Sequence, residues 1–261
     1  MTSFLTLEQL GRTAIVTIQQ PPANLLTVEV LQALSQQLSV LQADDSLHAL
    51  VLTGAGERYF SAGLALPPLA GGDWAQAEGL IDALLTVCQQ LRSFHGLSVA
   101  AVNGFALGAG LECALCCDVI VAERGAMLGM SQARVGLIPG AGGLKFLTDK
   151  IGQPWARRMA LCGEVLDAGK AWQIGLVEEV VDAGFAKIVA VSLADRISRQ
   201  GPQAVRLAQG LIDTAPSQSL DDHLQQARLA YMQVIGSEEQ REGVAAFLDK
   251  RAPSWCEDED D

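Results

Sequence analysis

Basic residues are scarce in this chain of 261 residues. Eighteen Lys and Arg stand against 30 Asp and Glu, a formal net charge of −12. A nucleic-acid surface needs clustered cations to neutralise phosphates, so the composition argues against that partner, though not against one local basic pocket. Long apolar runs are also missing. The most apolar stretch, Gly96 to Val121, is interrupted by Asn103, Glu112, Asp118 and several glycines, so no membrane span is expected. The start, MTSFLTLEQLG, lacks a basic segment followed by an apolar run and a small-residue cleavage site. No signal peptide is expected, and the cytoplasm is the default compartment.

Histidine occurs three times, at 48, 95 and 223, and none stands at a strand–turn–helix junction carrying Ser or Cys. That argues against a Ser-His-Asp hydrolase. There is no G-x-x-x-x-G-K-[ST] phosphate loop, no G-x-S-x-G elbow and no H-E-x-x-H. Cys113, Cys116 and Cys117 form a C-x-x-C-C run, but no second ligand pair lies at zinc spacing. Buried free thiols are expected there, and no metal site.

What is present is apolar side chain: 49% hydrophobic against 18% charged, too much for a disordered chain. Up to about residue 140, short β-rich runs alternate with helical patterns. Ala14–Ile18, Ala49–Thr53, Ser98–Val102, Val119–Ala122 and Met127–Met130 read as strands. Leu31, Leu34, Leu38 and Leu41 share one face of a helix that Thr27 caps. Leu80, Leu84, Val87 and Leu91 do the same in a helix over 75–94. The alternation predicts parallel pairing with helical crossovers, an α/β fold. From Gly143 to Trp255 helix follows helix, and the acidic tail is expected to fray.

Two segments carry candidate chemistry. In Ala100–Glu112 (AAVNGFALGAGLE) a strand enters a glycine-rich turn and a helix begins. Small residues at 108–110 let a ligand approach the backbone, and amides at the helix start are unpaired. An oxyanion could rest on the Ala109 amide, with Glu112 one turn further along the same face. The plainer alternative is a turn built only for tight packing. A Glu inside so apolar a run favours function, because burying an unpaired carboxylate is costly. The second segment, Phe60–Leu64 (FSAGL), is another small-residue turn after a buried strand. Two amides from separate turns are what an oxyanion hole needs. Asp118 is read as ending the helix before the next strand, and Arg134 as facing solvent rather than a carboxylated substrate.

With these segments in view, the chain resembles the crotonase superfamily, the enoyl-CoA hydratase/isomerase family. AAVNGFALGAGLECALCCDVIVA (100–122) and VGLIPGAGG (135–143) are the strongest marks. PPANLL, LTGAGERYFSAG, LCGEVLDAGKAWQIGLVEEVV and EGVAAFLDKRAPSW support them in order along the chain.

The resemblance implies a crotonase-like ββα spiral core with a C-terminal helical trimerisation region. The expected organisation is a core over 1–195 holding an acyl-CoA site, a helical region over 196–255, and a disordered acidic tail over 256–261. It implies an acyl-CoA thioester as partner, coenzyme A arriving as part of the substrate, no permanently bound cofactor, and self-association as a trimer or dimer of trimers. Leu64 and Ala109 N–H would form the oxyanion hole, and Glu112 would be the acid/base. Gln132 falls where a second glutamate stands in typical hydratases. It can hydrogen-bond but cannot exchange protons near neutrality. Ala65 replaces a frequent Asp. Ala23, Leu25, Ala62 and Leu66 would contact coenzyme A, as would Phe247 and Lys250 from the last helix. Pro139 and Gly140 would shape the acyl pocket. The leading expectation is hydration or dehydration of an enoyl-CoA. Isomerisation, thioester hydrolysis and decarboxylation are alternatives, and a CoA-ester-binding protein with little turnover is an alternative of another class.

Overall fold

The computed structural model describes residues 4–259. The chain forms two compact units, 1–194 and 195–261.

The first unit is built on two sheets. Strands β1 (Leu5–Leu10), β2 (Thr13–Ile18), β3 (Ala49–Gly54), β5 (Leu97–Val102), β7 (Val119–Glu123) and β10 (Glu179–Val181) form the larger sheet in the order β1-β2-β3-β5-β7-β10. Only β1 runs antiparallel to its neighbour in this sheet. The smaller sheet has the order β4 (Tyr59–Ser61), β6 (Phe105–Leu107), β8 (Met127–Gly129), β9 (Val165–Asp167). Three times a buried strand of the large sheet turns into a three-residue strand of the small one and then into a helix. The runs are β3-β4-α2 (α2 Trp74–Arg92), β5-β6-α3 (α3 Ala109–Leu115) and β7-β8-α4 (α4 Gly143–Leu161). This is the expected ββα spiral.

The inner strands β2, β3, β5 and β7 are apolar runs because both faces are buried. One face carries Ala14, Val16, Ile18, Leu50, Leu52, Ala100, Val102, Ile120 and Ala122 into the main core. There they join the leucine stripes of α1 (Val28–Gln42) and α2. Each fully buried leucine contributes roughly 1.5–3 kcal/mol of transfer free energy. The other face carries Ile15, Val51, Val99, Ala101 and Val121, all fully buried. Helix α5 (Ala168–Gln173) is followed by α6 (Ala186–Ser198), on which Ala186, Ala190 and Ala194 are fully buried at helical spacing. Lys187 beside that stripe bridges Glu8 of β1.

The main helices and the strands β2, β3, β5 and β7 fall within one or two residues of the sequence expectation, and Thr27 Oγ1 accepts from Val30 N as a cap. The strands β4, β6, β9 and β10 were not expected. Three residues are too few to show a period. β1 was not expected either; it is an edge strand with mostly exposed side chains. Helix α3 starts at Ala109, directly after Gly108 of the glycine-rich turn. Helix α4 is kinked at Gly152, two residues before Pro154.

The second unit comprises α7 (Pro202–Thr214), α8 (Leu220–Val234), α9 (Glu238–Asp249) and a 3-10 turn over Ser254–Glu259. Ser219 and Ser237 cap α8 and α9, and Glu239 accepts from Gln203 N and Ala204 N at the start of α7. The expected acidic tail begins inside the 3-10 turn; its last residues, 260 and 261, lie outside the described residues. Among the described residues, no helix is long and apolar enough to cross a membrane.

Candidate active site

The two small-residue turns meet. Leu64 forms an isolated parallel bridge with Leu26, in which Leu26 N donates to Gly63 O at 2.9 Å and Ala65 N donates to Leu26 O at 3.0 Å. Backbone groups alternate sides along an extended segment, so the Leu64 amide faces away from Leu26. On that other side lies the turn after β6. A Cβ added to Gly63 would stand 2.8 Å from Leu107 O and 3.4 Å from Ala109 N. A Cβ on Gly110 would meet Ser61 O at 2.5 Å. Glycine at 63, with φ +96°, is therefore required both by its backbone conformation and by this approach. Among the described residues, no protein acceptor takes the Leu64 or the Ala109 amide proton.

The loop before Leu64 is locked. Asn24, at φ 51°, donates from Nδ2 to Ala55 O at 3.0 Å and Tyr59 O at 2.8 Å. Ser61 Oγ donates to Asn24 O at 2.7 Å and accepts from Gly63 N at 3.1 Å. Such a network fixes where the Leu64 N–H points. The roles of Asn24 and Ser61 were not anticipated from sequence; the available signal was an Asn in a tight turn, a residue that tolerates left-handed backbone.

Glu112 projects from α3 and is 1% exposed. Its Oε1 accepts from Ala141 N at 2.9 Å and Gly143 N at 3.2 Å, and its Oε2 accepts from Gln132 Nε2 at 3.1 Å. Burial pushes this carboxyl above the ordinary value; the Ala141, Gly143 and Gln132 donors hold it back. Gly143 makes room for it, since a Cβ there would lie 2.5 Å from Glu112 Cγ. The turn at Pro139 and Gly140, expected to shape the acyl pocket, leads directly into Ala141 and Gly143, whose amides orient the acid.

Ala62, Leu64, Leu66, Ala109, Glu112 and Gln132 all line one cavity of about 510 Å³. Its other walls are largely apolar and include Leu69, Ile81, Leu137 and Gly140. Ala23 touches this group through its carbonyl, which accepts from Ala62 N at 3.0 Å. Leu25 is half-buried beside it and forms no part of the wall. Phe247 and Lys250 belong to the second unit, Phe247 83% exposed on α9 and Lys250 ending that helix with left-handed backbone. The wall includes neither. Ala65 is buried.

Asp118 follows α3 and ties it to β5, accepting from Ser98 N at 2.8 Å and Ser98 Oγ at 2.7 Å. Arg134 is exposed, as expected, with Nη2 donating to Gly163 O at 2.6 Å, and part of it also borders the cavity. Cys113, Cys116 and Cys117 are buried free thiols. Hydrogen bonding among Cys88, Cys113 and Cys116, together with burial, pushes the Cys88 and Cys116 thiols up.

Fold and site together define an α/β spiral protein with paired backbone donors and a buried carboxylate on one apolar cavity. The family follows from comparison: the enoyl-CoA hydratase/isomerase family model matches residues 9–258, and the chain belongs to that family. It is 35% identical over 254 residues to 2,3-dehydroadipyl-CoA hydratase of Escherichia coli, covering 97% of this chain and 98% of the relative. Among solved structures it is similar to DspI of Pseudomonas aeruginosa, with a TM-score of 0.94, 44% identity and 97% coverage of both chains. An enoyl-CoA hydratase from Bacillus anthracis gives a TM-score of 0.92 at 32% identity, covering 96% of this chain and 98% of the other.

Proposed function

We propose that the protein hydrates enoyl-CoA thioesters, or dehydrates their 3-hydroxy products, with Glu112 as the acid/base. The observation that carries this reading is the approach of the two acceptor-free amides, Leu64 and Ala109, on a cavity that also holds Glu112. The thioester carbonyl oxygen accepts from both amides, which stabilise the enolate as negative charge moves onto that oxygen. Glu112 takes a proton from water, and the hydroxide oxygen bonds to the β-carbon. Glu112 then returns the proton to the α-carbon on the same face. Gln132, donating to Glu112 Oε2, orients the carboxylate and exchanges no proton itself. Ala23, Ala62 and Leu66 support binding of the CoA arm. The step draws on substrate, water and the chain's own groups.

Among the described residues Glu112 is the one carboxylate on the cavity wall, and this favours a second reading. A single base that moves a proton between two carbons of the acyl chain is an isomerase.

Self-association as a trimer or dimer of trimers belongs to the same proposal. In residues 195–256 only Ser198 and Ala246 are buried, while Ile212, Leu220, Leu224, Leu229, Tyr231 and Leu248 are each more than half exposed. An apolar surface of this kind suits a second copy.

Loss of the enoyl-thioester absorbance with crotonyl-CoA tests hydration directly. No change at high enzyme concentration rejects it. Gln132→Glu is expected to raise the rate. The two carboxyls would stand at the present 3.1 Å contact and share a proton, restoring a second acid/base. An unchanged or lower rate would favour the isomerase reading.

A further inference from the structure

The first unit holds a second cavity, of about 760 Å³, whose wall shares no residue with the acyl cavity. It lies at the carboxyl ends of the parallel strands, where open α/β sheets commonly receive ligands. Register explains its lining. Thr17 pairs with Thr53, and Val102 pairs with Ala122, so Asn103 and Glu123 are the next positions along β5 and β7. Side chains alternate faces along a strand, and the cavity collects Thr17, Thr53, Asn103 and Glu123 from one face. Where the acyl cavity has leucine and isoleucine, this one has hydroxyls, amides and charges.

Most of those polar groups are satisfied within the protein. Lys187 Nζ lies 2.7 and 2.9 Å from the two oxygens of Glu8. Asn103 Nδ2 donates to Gly54 O at 2.8 Å and Gly56 O at 2.6 Å. Thr53 Oγ1 donates to Ala101 O at 2.8 Å, which leaves its lone pairs available. The Arg58 guanidinium sits over the Tyr59 ring, 5.3 Å from its centroid. Two acceptors are different: among the described residues neither the buried Asn103 Oδ1 nor the Glu123 carboxylate has a partner. Glu123 is 8% exposed and borders the cavity; its backbone carbonyl accepts from Ala126 N at 2.7 Å, and among the described residues its carboxylate makes neither a hydrogen bond nor an ion pair. A carboxylate that no protein donor reaches is open to a cation arriving through the cavity.

We propose that this cavity binds a small organic ligand through a primary ammonium group, with the Glu123 carboxylate as its acceptor and the Thr17 and Thr53 hydroxyls beside it. The donor set favours an organic cation over a metal ion: among the described residues no three His, Cys, Asp or Glu side chains converge. An ammonium places up to three N–H donors on a carboxylate and hydroxyls without needing several anionic ligands.

The test is calorimetric titration of the full-length protein with 1,4-diaminobutane, and separately with 4-aminobutanoate, whose carboxylate could also reach Arg58. Saturable binding of either compound is expected in the wild type, weakened roughly tenfold or more in Glu123→Gln. With ligand, only the wild type should gain stability. Binding of neither compound, or equal binding by wild type and variant, would overturn the proposal. So would a saturable response to magnesium chloride with none to the amines. Should Glu123→Gln fail to fold, Glu123→Asp withdraws the carboxylate by one methylene, and affinity unchanged from wild type would then be the overturning result.

Discussion

Glu112 and Glu123 are both glutamates sunk in the first unit, 1% and 8% exposed, and their surroundings are opposite. Glu112 receives three donors, two from the backbone and one from Gln132, inside a cavity walled mostly by aliphatic side chains. Glu123 receives none, inside a polar cavity. Depth of burial alone therefore does not say what a buried acid is for. Fixed donors hold Glu112 in one orientation on its cavity wall, the condition that acid–base chemistry requires. An acid without fixed donors is left to a partner that arrives from outside.

The most severe way to break the Glu112 side of this contrast is Glu112→Gln. It keeps the shape and removes the proton exchange, and crotonyl-CoA turnover is expected to fall by about 10²–10⁴-fold with acyl-CoA binding retained. Turnover near the wild-type rate would reduce Glu112 to a structural acid. Gly143→Ala is the next test. It leaves the carboxylate in place but drives a methyl into Glu112 Cγ and shifts it, and a loss on the order of 10²-fold in kcat is expected with little change in KM.

A smaller effect comes from the apolar wall. Ile81 Cδ1 would lie 2.8 Å from a Cβ on Gly140, so this side chain fills the space against the 140 turn. Ile81→Ala is expected to raise the kcat/KM ratio of decenoyl-CoA to crotonyl-CoA by roughly tenfold. An unmoved ratio would place the acyl chain elsewhere.

The gentlest probe is pH. Because burial raises the Glu112 carboxyl, the folded protein favours its protonated form. Glu112 therefore adds stability below the usual 4.5, and that contribution is lost as pH rises through the raised value. Glu112→Gln is accordingly expected to melt above the wild type near neutral pH. Hydration needs the ionised form, so the acid limb of kcat/KM should lie above 4.5 and vanish from the residual activity of the variant. Identical limbs would separate Glu112 from the rate.

Much of the site could be read in advance from particular residues. The apolar runs at 49–53, 98–102 and 119–122 could only be buried strands, and the glycines at 108 and 110 announced a turn where a ligand could meet backbone. Glu112 stood out as a charge inside an apolar segment. The strands at 59–61 and 105–107 were invisible because three residues carry no period, although they bring the two turns together. Asn24 and Ser61, which lock the first turn, differ in no local way from ordinary turn residues. Glu123 lay one residue past the expected strand at 119–122 and attracted no notice, since nothing near it in sequence reveals that its carboxylate lacks a donor.

By itself, then, the residue order settled what is local: where apolar runs bury, where small residues open the backbone, and which position carries the acid. The folded chain alone decided which main-chain amides stay unpaired. It also decided that the donors for Glu112 come from Ala141 and Gly143, and that Glu123 meets none. The reason is physical. Every residue but proline carries the same backbone donor, so whether that donor is spent or available depends on neighbours distant in sequence rather than on the residue's own identity.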